Sequence, residues 1–284
     1  MSDTAKPMVG KICMVTGANA GIGKATALGL AKMAATVVMV CRNRERGEAA
    51  LTEVKRESGN DAVSLLLADL SSQTSIRHLA ADFKARYSHL HVLVNNAGII
   101  TKKRVLTEDK LETQFAVNHL AYFLLTNLLL DTLKVSAPAR IVNVSSQAHQ
   151  RASIDFDNLQ SERSYHRTHV YAWTKLANVL FTYELSRRLE GTQVTANCLH
   201  PGVIATNLVG DYLPRPLRFI TQIIGASPEK GARTPLYLAT SPEVEGVTGK
   251  YFVDQKAVPS SAASYDRTTA RRLWQASAEL TGLV

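Results

Sequence analysis

Short apolar, β-rich runs alternate along the chain with longer stretches of helical periodicity. Runs at Lys11–Thr16, Thr36–Cys41, Val63–Leu67, Val92–Asn95, Arg140–Val144, Val194–Leu199 and Lys250–Val253 predict seven strands. Helical patterns begin near Gly21, Arg44, Ser72, Thr107, Thr168 and Pro228, and a last one spans Thr268–Leu280. The near-continuous apolar run Ala35-Thr-Val-Val-Met-Val-Cys41 predicts a strand covered on both faces, which a parallel sheet between two helix layers requires. The fold class expected is therefore α/β: one doubly wound domain over residues 1–284, with a seven-stranded, mostly parallel sheet flanked by helices. No Pro, Ser or Gly-rich linker divides the chain and no internal repeat is visible. Two stretches break the alternation: Gln147–His169, a polar inserted loop, and Asn207–Ala226, apolar but interrupted by Pro214 and Pro216.

Composition narrows the class of protein. At 284 residues, 45% hydrophobic and 20% charged, the chain is that of an ordinary globular protein, so disordered and collagen-like readings fall away. The apolar stretch Leu120–Leu130 falls far short of the ~18 to 20 residues a spanning helix needs, and the polar opening Met1-Ser-Asp-Thr-Ala-Lys-Pro7 carries no signal peptide. A cytoplasmic protein is expected. Cys13, Cys41 and Cys198 each fall in an apolar strand-like run, which suits inert core thiols rather than disulfides or zinc ligands. The net charge of +9 is scattered, with no aromatic-interleaved basic run, so a solvated surface is preferred to a nucleic-acid partner.

The first strand runs straight into Thr16-Gly-Ala-Asn-Ala-Gly-Ile-Gly23 and then a helix. Glycines at such a turn let backbone approach a ligand closely and leave helix N-terminal N–H groups for a pyrophosphate, so this is a candidate dinucleotide site. At 19 residues past Gly23, where an NAD site would place an acid on the ribose 2′-hydroxyl, the sequence reads Val40-Cys-Arg-Asn-Arg44 with no carboxylate. An Arg there pairs with a 2′-phosphate, which favours NADP(H) and assigns Arg42 to it. Farther on, Tyr171 and Lys175 stand at i and i+4 on one helix face, so the ammonium is expected to favour a phenolate beside it. The preceding strand ends in Val144-Ser145-Ser146, at the carboxyl edge where α/β sheets bind ligands.

Together these elements resemble the short-chain dehydrogenase/reductase superfamily over nearly the whole chain. Thr16-Gly17-x-x-x-Gly21-x-Gly23, Asp69-Leu70, Asn95-Asn96-Ala97-Gly98, Asn118, Ser146, Tyr171-x-x-x-Lys175 and Pro201-Gly202 with Thr206 carry the likeness. Val117-Asn-His-Leu120, Val40-Cys-Arg42, Leu273-Trp274 and the 25-position interval from Ser146 to Tyr171 resemble the retinol-dehydrogenase-like branch. The resemblance implies a Rossmann-type fold and hydride transfer between NADP(H) and an apolar aldehyde, ketone or retinoid-like alcohol. It implies Tyr171 as general acid or base, Ser146 as second donor to the reacting oxygen, and Lys175 on the nicotinamide ribose, with Asn118 supporting a relay water behind it. Cofactor contacts are implied at Gly17, Asn19, Gly21, Ile22, Gly23, Arg42, Asp69, Leu70, Asn95, Ala97, Gly98, Tyr171, Lys175, Pro201, Gly202 and Thr206. Ser145 and Ser146 alternate across the strand, so only one faces the cleft, and the family pattern selects Ser146.

His149, His166 and His169 invite a metal reading, but without a third convincing ligand they are read as solvated loop histidines and no metal is expected. Tyr165 lacks a Lys at i+4 and is read as loop packing. Residues 207–226 are expected to close over substrate as a lid, with peripheral membrane contact as the competing reading. A nucleotide-binding sensor with little turnover is the alternative to an enzyme, and homo-oligomerisation is left open.

Overall fold

The computed structural model describes residues 7–202 and 227–283. Among the described residues eight strands form one sheet: β1 Ile12–Thr16, β2 Thr36–Cys41, β3 Val63–Leu67, β4 Val92–Asn95, β5 Ala139–Val144, β6 Val194–His200, β7 Tyr251–Val253 and β8 Lys256–Val258. Their order is β3-β2-β1-β4-β5-β6-β7-β8, parallel throughout except for the antiparallel β7–β8 pair. Alternate side chains feed two separate cores, as a sheet covered on both faces demands. Cys13 and Val15 of β1 join Val37 and Met39 of β2 on one face, while Met14, Val38 and Val40 join the other.

Helices α1 (Gly21–Lys32) and α2 (Arg44–Ser58) cover the first face, together with a helix at Pro228–Thr240. On the second lie α3 (Gln73–Arg86), a segment from α4 (Thr113–Phe115) through a π turn at Ala116–Leu120 into α5 (Ala121–Leu128), α6 (Leu130–Val135) and the long α7 (Arg167–Arg188). In chain order the Pro228–Thr240 helix is α8, and α9 (Arg267–Thr281) closes the second face, its Trp274 under the Arg188 guanidinium of α7 at 4.2 Å. No helix among the described residues is long and apolar enough to cross a membrane.

Three expectations are corrected. The sheet has eight strands rather than seven, because Asp254 and Gln255 both take positive φ (47° and 65°) and turn the chain straight back from Val253 to Lys256. Such two-residue hairpins are usually signalled by Asn-Gly or Asp-Gly, and Asp-Gln hides the turn. The helix expected from Thr107 starts at Thr113: residues 107–111 instead close a tight turn, with Thr107 N–H donating to Leu111 O at 2.8 Å and Lys110 at φ 61°. The cap is Glu112, whose carboxylate accepts from the Gln114 and Phe115 amides at 3.0 and 2.8 Å. His149 is not a solvated loop residue; the short helical turn Gln147–Arg151 folds it fully inside. His166 and His169 are exposed, as expected.

Candidate active site

Because the strand order reverses between β1 and β4, the loops leaving the carboxyl ends of these two strands part and open a crevice. A cleft of about 890 Å³ occupies it, lined from the ends of β1 through β6 and by the first turns of α7.

One end is built by the glycine turn. Gly17 sits at φ 67°, and a Cβ there would come within 3.0 Å of Ala97 Cα. A Cβ on Gly23 would run into the Gly17 carbonyl oxygen and lie 2.5 Å from Asn96 Nδ2. Thr16 and Asn96 lock this corner: Thr16 Oγ1 accepts from the Asn96 and Ala97 amides at 2.9 and 3.1 Å, and Asn96 Nδ2 donates to Thr16 O at 2.8 Å. Helix α1 then starts from Ala20 with no side-chain cap and no acid in its first turn, whereas α2, α3, α8 and α9 are capped by Asn43, Ser72, Ser227 and Asp266. A bare, positive helix end facing a cleft suits a phosphate-bearing ligand, so the residues present fit a dinucleotide.

Gly17, Asn19, Gly21, Ile22, Gly23, Arg42, Asp69, Leu70, Ala97, Gly98, Pro201 and Gly202 all line the cleft. Asn95 does not: it is buried inside the sheet, where Nδ2 donates to Thr126 Oγ1 at 3.0 Å and Asn143 Oδ1 at 2.9 Å. Its neighbour Asn96, one residue on and so on the opposite side of the strand end, takes the cleft position. Asp69 Oδ1 accepts from Ser71 N and Ser71 Oγ at 2.9 and 2.6 Å, and Oδ2 lies 3.8 Å from Arg42 Nη1. Arg42 projects its side chain, 75% exposed, at the rim. Thr206 and residues 207–226 lie outside the described residues.

At the other end Ser146, Tyr171 and Lys175 meet. Both Ser145 and Ser146 reach the cleft, but Ser145 Oγ is committed to Lys175 O, to which it donates at 2.8 Å, whereas the Ser146 hydroxyl lies beside the Tyr171 phenol. Lys175 Nζ donates to Val144 O at 3.0 Å and lies 5.6 Å from the Tyr171 ring centroid and 5.7 Å from that of Tyr122. Burial, not mutual assistance, sets both ionisations. It raises the Tyr171 phenol to about 12, against a smaller lowering by the neighbouring Ser146 hydroxyl, and pulls the Lys175 ammonium down to about 7.

Asn118 lies in the π turn, a helix irregularity that recurs at functional sites. Its Oδ1 accepts from Ile99 N at 2.8 Å, and Nδ2 donates to Ile99 O at 3.0 Å and Thr174 Oγ1 at 3.2 Å. It therefore clamps the loop after β4 to α7, beside Gly98, whose added Cβ would sit 3.5 Å from both Asn118 Oδ1 and Lys175 Nζ. Tyr165 packs the same loop as expected, its hydroxyl meeting Thr101 Oγ1 at 2.5 Å and Gln114 Nε2 at 2.6 Å. Sequence reasoning passed over Ile99, Ile100, Val117, Ala148 and His200, which supply much of the cleft wall. Only the Val117 and His200 positions, flanking Asn118 and Pro201, carried any signal.

A sequence model of the short chain dehydrogenase family matches residues 11–215. The chain is 45% identical to retinol dehydrogenase 14 of Homo sapiens over 98% of its own length and 88% of the relative, and 46% identical to retinol dehydrogenase 12 of Homo sapiens over 96% and 87%. Among solved structures it is similar to a putative uncharacterized protein from Mycobacterium Paratuberculosis, with TM-score 0.79, 34% identity and coverage of 97% and 95%. It is also similar to the Pseudomonas aeruginosa RhlG/NADP active-site complex, with TM-score 0.71, 25% identity and coverage of 88% and 97%. Matched by the family model over most of its length and by these relatives over nearly all of it, the chain belongs to the short chain dehydrogenase family as a retinol-dehydrogenase-like oxidoreductase.

Proposed function

We propose that this chain is an NADP(H)-dependent oxidoreductase acting on the carbonyl or alcohol of a small-to-medium apolar substrate, retinoid-like compounds included. The observation that carries the reading is the gathering of Ser146, Tyr171 and buried Lys175 at one end of a cleft whose other end is a glycine cradle. A bound nicotinamide would supply the hydride.

The chain's own groups manage the charge that follows. As negative charge grows on the substrate oxygen, the Tyr171 O–H donates to it and passes its proton, while Ser146 Oγ donates a second bond. A phenol held at about 12 by burial is protonated at neutral pH and ready to act as acid. Lys175 would meet the nicotinamide ribose, and its ammonium form lowers the cost of the phenolate left behind. Asn118 keeps the Ile99 loop against α7 so that this geometry holds, and a relay water would use the remaining lone pair of its Oδ1.

Arg42 supports NADP(H) over NAD(H). Its guanidinium is exposed at the cleft rim, and Val40-Cys-Arg-Asn-Arg44 offers no carboxylate to a ribose 2′-hydroxyl. Ile99, Ile100, Val117 and Ala148 in the wall support an apolar substrate, in keeping with relatives named retinol dehydrogenases. The test follows absorbance of the reduced nicotinamide with straight-chain aldehydes of increasing length and with retinal. Turnover with NADPH at least about tenfold above NADH in kcat/KM, rising with chain length, is expected. Tight nucleotide binding without turnover of any carbonyl would instead identify a sensor.

A further inference from the structure

His149 is the histidine of the 147–169 stretch that the fold takes fully inside. Its ring bridges two segments far apart in sequence: Nδ1 lies 2.7 Å from Ser146 O, and Nε2 lies 3.2 Å from Ser261 N. A carbonyl only accepts and an amide N–H only donates, so the two contacts specify a neutral ring with its proton on Nδ1. The His149 backbone N–H donates to the same Ser146 oxygen at 3.2 Å, so residue 149 holds that carbonyl twice. Tyr251 of β7 packs edge-on against the ring, centroids 4.7 Å apart.

The far end of the bridge is anchored as well. Ser261 O accepts from Ser264 Oγ at 2.6 Å, Ser264 Oγ meets Ser260 Oγ at 2.6 Å, and Ser260 Oγ meets the Tyr183 hydroxyl at 2.7 Å. Tyr183 lies on α7, twelve residues beyond Tyr171. A chain of contacts thus ties the turn bearing Ser146 to the helix bearing Tyr171. On the Ser146 side, Oγ accepts from Ala148 N at 3.2 Å, so the turn held by His149 also orients the hydroxyl.

We propose that His149 is a positioning residue for the reaction: by donating Nδ1–H to the Ser146 carbonyl while anchored on Ser261, it sets the placement of the Ser146 hydroxyl against Tyr171. This rests on the reading of Ser146 as a donor to the reacting oxygen. The ring itself does not reach substrate; a misplacement of the hydroxyl by an ångström is what its loss would cause, and such errors are expensive in rate.

Two amide variants separate the bonds. In His149→Asn the side-chain nitrogen can stand where Nδ1 stands and keep the Ser146 contact; in His149→Gln the amide reaches the Nε2 position and serves only Ser261. His149→Phe keeps ring volume and loses both. The expected result is a kcat for His149→Phe about ten- to a hundredfold below the parent, with carbonyl KM and NADPH Kd changed less than about threefold. His149→Asn should recover most of that kcat and His149→Gln should not. Ser146→Ala combined with His149→Phe should be no slower than Ser146→Ala alone, since the histidine acts through the serine. Where His149→Phe does not fold, the Asn and Gln pair decides the matter on the same criterion.

The proposal is overturned if His149→Phe turns over within about twofold of the parent, if Asn rescues no better than Gln, or if the double variant multiplies the two losses. A slow Ser146→Ala beside unaffected His149 variants would overturn the proposal and leave the reading of the site standing. Ser146→Ala at full rate would overturn both.

Discussion

Replacing Lys175 with Met should make the protein more stable while removing its turnover. The ammonium is 2% exposed, and Val144 O at 3.0 Å is the acceptor its three donors find. Burial draws its pKa from 10.5 down to about 7. At 1.36 kcal/mol per tenfold, that fall corresponds to on the order of 5 kcal/mol of unfavourable burial at neutral pH, taken as an upper bound. Losing the bond to Val144 O returns about 1 kcal/mol of it, although Asn178 Nδ2 still approaches that oxygen at 3.4 Å. Methionine fills nearly the same volume without a charge, so a net gain of roughly 1 to 3 kcal/mol is expected. The folded pKa is depressed, so between about 7 and 10.5 the unfolded chain binds more protons and the parent's stability rises with pH across that window. The variant's advantage is therefore full at pH 7 and below and shrinks as pH rises. Cys13 and Cys198, both pushed up to about 12 by burial, act in the opposite sense once pH passes the ordinary thiol value, so the quantity to follow is the difference between variant and parent. Urea unfolding without added nucleotide, at intervals from about pH 7 to about pH 9, measures it. A variant less stable than the parent at pH 7, or a difference that does not change with pH, would refute the reasoning.

Tyr171→Phe should lose at least about a thousandfold in kcat with NADPH affinity within about threefold of the parent, because the hydroxyl transfers the proton and the ring only packs; steady-state kinetics beside fluorescence titration checks both. Arg42→Ala should weaken NADPH by about 1.5 to 3 kcal/mol and leave NADH nearly unchanged, since its charge-assisted bonds go to the 2′-phosphate alone; an equal loss for both nucleotides would make Arg42 structural. Gly23→Ala should abolish measurable nucleotide binding and lower stability by about 1 to 3 kcal/mol, because its Cβ meets backbone at Gly17. Gly59→Ala, at φ 63° with open space around the Cβ, is its control: backbone strain alone, with nucleotide affinity unmoved in the same titration.

How far the sequence discloses such a protein depends on whether a feature is periodic, a motif or a product of folding. The sheet was legible because parallel strands buried on both faces must read as unbroken apolar runs, and β2 and β3 fall on their expected bounds. β8 was not, because Lys256 and Ala257 are exposed and the hairpin turns on Asp254-Gln255, a pair with no strong turn preference. The start of α4 was misplaced because Thr107 followed by Glu108 and Asp109 imitates a cap, while the true cap, Glu112, is a glutamate that folding buries and satisfies with two backbone amides.

In the site, short motifs at strand ends were legible because the fold brings the carboxyl ends of the parallel strands β1–β7 to one edge; that rule alone gathers Gly17, Arg42, Asp69, Gly98, Ser146 and Gly202 into one cleft. Motif letters cannot say which way a residue faces, and Asn95 shows the cost: adjacent to Asn96 and equally polar, it points into the sheet to bond Thr126 and Asn143. Nor does a motif disclose the electrostatic balance around it. Tyr171 and Lys175 at i and i+4 suggest a cation assisting a phenol, yet whether the pair helps or burdens each partner depends on how dry the surroundings are. Those surroundings include Tyr122, whose hydroxyl bonds Ala97 O at 2.8 Å and whose ring lies near Lys175, from a helix about fifty residues upstream. His149 is the extreme case, since its meaning resides in Ser261, 112 positions away, and no local pattern could have named that partner.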